Sequence, residues 1–143
     1  MPLKRSAGNA MPGRRYLLDT NALVALLQGN QELLNIIESA EWIGLSVINV
    51  LEFLGFEGLT TDDQNLLSTF VSRVNVVSLN YDDQLLMAKI ISLRQSKALK
   101  LPDAIVVASA AVHHAILLTN DSQVLSLADR DSSYPARGFA ASS

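Results

Sequence analysis

The chain has 143 residues, of which 49% are apolar and 17% charged, with a net charge of −3. That suits one domain with a substantial core; the acidic balance argues against a general nucleic-acid coat but not against a nucleic-acid enzyme, because local patches outweigh the sum. Cysteine is absent, which removes disulfides and thiolate metal sites, and the longest apolar runs fall short of the roughly 18 residues that span a bilayer.

Residues 1–13, with Gly8, Asn9, Pro12 and Gly13, read as a flexible basic tail carrying Lys4 and Arg5. No hydrophobic segment follows it, so a secretory signal is not expected, and a cytoplasmic protein that does not engage membranes is the expectation. Arg15–Asp19 reads as a buried strand. Thr20–Gln28 has apolar residues at 22, 23, 26 and 27, a helical spacing closed by Gly29. A second helix follows over Gln31–Ala40. Trp42–Ser46 is the next strand, with Ser46 placed to cap the helix carrying Glu52. Thr61 opens a helix to about Arg73, Val74–Leu79 is a β-branched strand, and Asn80 is expected to cap a helix running to Lys97. Pro102 suits the first position of a helix ending near His113 and His114. Ala115–Thr119 is the fourth strand, followed by a short helix over Ser122–Ala128. The domain is expected over 14–132, with 133–143 a loosely ordered Ser/Ala-rich segment.

Strands separated by helices favour a parallel sheet covered on both faces, an α/β fold of three layers. In such sheets ligands bind beyond the carboxyl ends of the strands, where the strand order reverses. Asp19 and Asp121 follow the first and fourth strands, and Asp103 opens a helix. Each of these three also reads as an ordinary helix cap or as a favourable charge at a helix N-terminus. Glu52 interrupts Val50-Leu51-Glu52-Phe53-Leu54, and within an apolar helix an ionised side chain needs a partner or a cation.

Two carboxylates about 4 Å apart repel by about 4 kcal/mol at an effective dielectric near 20. Four gathered in one pocket therefore require protons or a divalent cation. Hard oxygen ligands without Cys point to Mg²⁺ or Mn²⁺. The pairs Asp62-Asp63 and Asp82-Asp83 suit helix first turns and read as structural, Asp129 and Asp131 as solvated surface, and His113-His114 as a helix C-terminal cap. Arg94, Lys97 and Lys100 form a basic group that is either solvated surface or a track for a phosphate backbone.

The segments Leu17-Leu18-Asp19-Thr20-Asn21, Leu45-Ser46 with Glu52, Pro102-Asp103-Ala104 and Leu118-Thr119-Asn120-Asp121 together resemble the four motifs of PIN-domain ribonucleases. The resemblance runs from about Arg15 to Ala128, and the compact size is similar to VapC-type toxins of bacterial toxin–antitoxin pairs. It implies a parallel sheet of four to five strands with the acids at its carboxyl edge. It implies Mg²⁺- or Mn²⁺-dependent RNA hydrolysis by a metal-activated water, with Asp19, Glu52, Asp103 and Asp121 as catalytic and metal-binding acids. Thr20 and Thr119 would be supporting hydroxyls, Asn21 would orient Asp19 or a metal-bound water, and Lys100, Arg94 or the basic tail would track the RNA backbone. A homodimer and a cognate antitoxin seated in an apolar groove are implied as well. A fifth strand is not evident; Tyr134-Pro135 marks its place. Two other readings stand beside this one. An aspartate-dependent phosphohydrolase would want Asp-x-Asp where Asp19-Thr20-Asn21 stands, and a non-catalytic PIN-like module would use the groove around Leu26, Leu27, Phe53 and Phe56 for dimerisation or antitoxin capture.

Overall fold

The computed structural model describes residues 14–97, 99–130 and 134–141. The tail 1–13 with Lys4 and Arg5, the Lys97 side chain, Asp131 and the last two residues lie outside the described residues. Along the chain the elements are β1 (Arg15–Leu18), α1 (Thr20–Leu27), α2 (Gln31–Ser39), β2 (Trp42–Ser46), α3 (Val47–Leu54), α4 (Thr61–Val71), β3 (Asn75–Val77), α5 (Gln84–Lys97), α6 (Leu101–Val112), β4 (Ile116–Leu118), α7 (Ser122–Arg130) and β5 (Ala136–Arg137). All strand pairs are parallel, in the order β3-β2-β1-β4-β5. The chain starts mid-sheet, builds outward to β3, then returns to add β4 on the other side of β1. The order therefore reverses between β1 and β4, and this is the crevice where a ligand is expected.

Alternation along β1 builds the two faces. Leu17 and Leu117 point to a core completed by α5 and α6 through Leu86, Ile90, Leu93 and the apolar side chains of residues 104–108. Tyr16, Leu18 and Leu118 point to a second core with Leu23 and Leu26 of α1, Leu33 and Ile36 of α2, Phe53 of α3 and Leu67 of α4. Helix α6 is buried from Ala104 to Ala110, which explains why it is apolar all round. At the amino edge of the sheet the Trp42 ring folds back over Gly44, where a Cβ would overlap it. The ring stacks on His113 with centroids 5.2 Å apart, and the Arg15 guanidinium lies 4.7 Å from its centroid. Burial, then the Arg15 charge, hold the His113 imidazole below its usual pKa.

Helix starts follow local chemistry. Asn30 accepts from Leu33 N, Ser46 from Ile48 N, and Thr60 with Asp63 forms a reciprocal capping box. Several expected boundaries move. Asn80 does not cap α5: its side chain accepts from Asp82 N in a turn, and Asp83 takes the cap by accepting from Leu86 N. Pro102 is the second residue of α6, not the first. β3 is three residues long, where six were expected, because its partner β2 ends at Ser46, opposite Val77, and turns into α3.

The C-terminal segment departs most from expectation, because its described part is ordered rather than loosely held. Leu117 N donates to Pro135 O and Thr119 N to Arg137 O, which adds β5 to the sheet. Beyond it, Asn120 donates to Phe139 O and accepts from Phe139 N, while Asn30 Nδ2 donates to Ala140 O and Ala140 N donates to Glu32 Oε1 at 2.6 Å. Arg137 completes the clamp on Glu32 at 3.3 Å. The Ala140 N–H, and secondarily Arg137, hold the Glu32 carboxyl below its ordinary pKa. A depressed folded-state pKa contributes stability that is full above the unfolded pKa and disappears as pH falls through the folded one. Glu32→Gln keeps the acceptor but not the charge. The wild type is expected to melt above Glu32→Gln at neutral pH, the gap closing as pH drops through and below the glutamate range. A gap independent of pH in thermal melts would contradict this.

Candidate active site

The carboxyl ends of β1, β2 and β4 deliver the site. Asp19 follows β1 and accepts from Thr20 N at 2.9 Å as the N-cap of α1, and its own N–H donates to Leu118 O of the neighbouring strand. Capping and site membership are therefore one placement, not alternatives. Thr119 and Asp121 follow β4. Asp121 caps α7 with Oδ1, accepting from Gln123 N and Val124 N. Asp103 lies in the first turn of α6, half-buried, next to the exposed Lys100 at that helix's N-cap. Glu52 arrives on α3.

Glu52 was expected to be a buried charge in an apolar helix, and this is corrected: it is exposed, at the border of the face that α3 buries through Asn49 and Phe53. Helix α3 buries one side only, through Asn49 and Phe53, so the apolar residues beside Glu52 need no core around it. The carboxylate is nevertheless held. Thr20 Oγ1 donates to Glu52 Oε1 at 2.6 Å across 32 residues of sequence.

A hydrogen-bond network joins the parts. Thr119 Oγ1 donates to Asp19 Oδ2 at 2.7 Å and accepts from Asp121 N at 3.0 Å. Asn21 Nδ2 donates to Thr119 Oγ1 at 3.2 Å and, longer, to Asp19 Oδ2 at 3.4 Å, while its Oδ1 accepts from Asn120 N. Asn49, which the sequence analysis passed over, is wholly buried and donates to Thr20 Oγ1 at 2.9 Å and Asp19 Oδ1 at 3.3 Å. A signal for it was present. Asn49 interrupts the apolar run Val47-Ile48-Asn49-Val50-Leu51 three residues before Glu52, one turn away on the same face. Arg94 uses Nη1 to hold Leu99 O at 3.1 Å, bracing the α5–α6 connection.

Electrostatics tie the four acids together. Asp19 is pushed above the ordinary aspartate pKa chiefly by burial, with Glu52 and Asp121 adding to the rise against the bonds from Thr119 and Thr20. Asp103 is raised by burial first, then by Asp121, Asp19 and Glu52, with Lys100 opposing. For both Asp19 and Asp103 desolvation is the larger effect and repulsion from the neighbouring acids the smaller.

Whether the site suits a divalent cation is a question of donor chemistry and spacing. The donor set is all hard oxygen. Among the described residues Glu52 Oε2, Asp121 Oδ2 and the Asp103 carboxylate carry no hydrogen bond in the network, so oxygens are left for a ligand. No three His, Asp or Glu among the described residues stand as a preformed ligand cluster. The residues fit the ion in donor chemistry and charge.

Comparison with known proteins identifies the family. A family model, the PIN domain, matches residues 16–130. No protein of curated function matches the sequence. Among solved structures, a toxin-antitoxin complex from Klebsiella pneumoniae is 28% identical, with 75% of this chain and 87% of that one covered at a TM-score of 0.62. VapBC2 from Rickettsia felis, bound to a DNA fragment from its promoter, is 18% identical over 87% of this chain and 98% of that one, with a TM-score of 0.68. FitAcB from Neisseria gonorrhoeae is 22% identical over 85% and 95%, with a TM-score of 0.58. With the family model spanning both strand–acid junctions and both helices that carry the remaining acids, this chain belongs to the PIN domain family.

Proposed function

We propose that this protein is a Mg²⁺- or Mn²⁺-dependent endoribonuclease, the VapC-type toxin of a toxin–antitoxin pair acting in the cytoplasm. The observation that supports this reading is the hydrogen-bond network through Thr20 and Thr119, which joins Glu52, Asp19 and the Asp121 backbone at the carboxyl ends of the strands, with Asp103 near enough to feel the other three charges. Asp19, Glu52 and Asp103 would hold the principal cation, and Asp121, half committed to capping α7, would complete a weaker position. A divalent cation supplies Lewis acidity there, polarising a phosphate and easing deprotonation of an attacking water. The chain's own contribution is orientation. Thr119 holds Asp19 Oδ2, Thr20 holds Glu52 Oε1, and Asn21 fixes Thr119. Lys100, whose charge acts on Asp103, would meet an RNA phosphate, as would the part of the Arg94 guanidinium not used by Leu99.

A groove of about 300 Å³ beside the site is lined by Val24, Leu27, Phe53, Phe56 and Leu66, with Glu57 and Asp63 among the lining residues. Leu26 and Phe53 belong mainly to the core, whereas Phe56 and Leu66 are open to solvent. That apolar floor with acidic neighbours suits an antitoxin helix bearing apolar and basic side chains. Exposed Leu51, Leu85 and Ile91 supply apolar surface for a second copy of the chain; sedimentation velocity reads the homodimer directly. No described helix is long and apolar enough to cross a membrane. An aspartyl phosphohydrolase finds no support at position 21, where the Asn amide is a donor to Asp19 rather than a second acid.

The experiment is incubation of total cellular RNA with the purified protein and Mg²⁺, mapped at nucleotide resolution. Discrete cuts that vanish with EDTA are expected. Intact RNA together with hydrolysis of a small phosphate ester would replace the nuclease reading with the phosphohydrolase one. Neither activity, with no Mn²⁺ binding, would leave a binding module.

A further inference from the structure

Asn49 is wholly buried on α3, and only one end of its amide is accounted for. Nδ2 donates to Thr20 Oγ1 at 2.9 Å and Asp19 Oδ1 at 3.3 Å, with Glu52 Oε1 at the limit of a bond at 3.5 Å. Oδ1 has no hydrogen-bond partner, and it is the single buried side-chain nitrogen or oxygen so placed among the described residues. A buried acceptor without a donor is destabilising, and an apolar side chain of the same shape would relieve it. Stability therefore does not explain an amide here. The orientation cannot be reversed either, because all the partners around Nδ2 are acceptors or hydroxyl oxygen.

The explanation lies in the single proton of Thr20. Oγ1 accepts from Asn49, so its proton is directed away from that side and onto Glu52 Oε1 at 2.6 Å. The other half of the site is arranged in the same manner. Thr119 Oγ1 accepts from Asn21 Nδ2 and Asp121 N, and its proton goes to Asp19 Oδ2. Each threonine is thus turned into a donor toward a carboxylate by an asparagine. Glu52 needs this more than Asp19 does, since it is exposed and its side chain is otherwise free to swing into solvent.

We propose that Asn49 is a positioning residue of the acid site: through Thr20 it anchors one oxygen of Glu52 beside Asp19 and leaves the other for a divalent cation. This rests on the cation-binding reading above. Partners one shell behind a ligand typically change metal affinity by about 10–100-fold when removed. The near-isosteric Asn49→Leu removes the donor and the unpartnered oxygen together. Its metal-free form is expected to melt no lower than the wild type, yet to bind Mn²⁺ about 10–100-fold more weakly by calorimetric titration. A purely structural role would move these two readouts together.

Thr20→Val is expected to show a similar loss. The double variant should bind no more weakly than the weaker single one, because both act through one bond. Asn49→Thr, which restores a hydroxyl donor, should recover part of the affinity. Wild-type Mn²⁺ affinity in Asn49→Leu overturns the proposal, as do losses that multiply in the double variant. If Asn49→Leu does not fold, Thr20→Val decides, and undiminished affinity there overturns it too. A wild type that binds no Mn²⁺ overturns the cation reading and this inference with it, whereas normal binding beside an unaffected Asn49→Leu overturns this inference alone.

Discussion

Asp19→Asn is expected to lower metal-dependent RNA cleavage by more than about 100-fold, the upper end of what loss of a mere supporting partner costs, while raising the melting temperature of the metal-free protein at neutral pH. The activity loss follows from removing the central acid, which is coupled to all the others. The stability gain follows from linkage. Burial raises the folded-state pKa of Asp19 above its ordinary value. A raised carboxyl contributes stability that is full below the unfolded pKa and is lost as pH rises through the folded one. At neutral pH the ionised wild-type group therefore burdens the fold, and Asn relieves it. The advantage of the variant should shrink as pH falls through the raised folded-state pKa and be gone below the ordinary aspartate value. Added Mn²⁺ should stabilise the wild type and leave the variant nearly unmoved. Cleavage by purified Asp19→Asn at the wild-type rate would remove Asp19 from the chemistry. A variant that melts lower at pH 7 would show that the Thr119 bond to the carboxylate outweighs the burial.

Leu118→Ala is expected to carry the largest stability cost, about 2–5 kcal/mol by the usual cost of emptying a packed leucine site. Leu118 is fully buried on β4, which lies between β1 and β5, and its carbonyl accepts from Asp19 N. Total stabilities of domains this size run to about 5–15 kcal/mol, so the variant would lose a large share of the whole. Leu51→Ala, at 60% exposure on α3, should change stability by less than about 0.5 kcal/mol. Urea unfolding midpoints of the two variants test the contrast. Equal losses would mean that the sheet centre is not where stability concentrates.

Much of the fold was legible because two periodicities carry it. The helical spacing of Ala22, Leu23, Leu26 and Leu27, the β-branched run before Leu79 and the polar starts of helices fall where local physics puts them. Boundaries slipped where a choice between neighbours was decided by backbone geometry, as between Asn80 and Asp83 for the α5 cap. Glu52 was picked for a reason that does not hold. Its apolar surroundings suggested burial, but α3 covers the core with one face only, and sequence cannot say which face of an apolar helix is open. Asn49 carried the same signal as Glu52 and went unread. A polar residue in an apolar run matters only once its neighbours in space are known, and Thr20 lies 29 residues away.

From the opening alternation of strands and helices and the acids at their junctions, the sequence by itself determined the fold class and the family resemblance, and it singled out the four carboxylates of the proposed site. Those depend on local pattern and on residue type. The tertiary structure alone decided that β1 and β4 lie side by side, which brings Asp19 to Thr119 across 100 residues, and that the chain's end closes the sheet through side chains of Asn30, Glu32 and Asn120. It alone decided which threonine proton points at which carboxylate. Long-range pairing and hydrogen-bond direction are properties of neighbours in space, and no spacing along the chain encodes them.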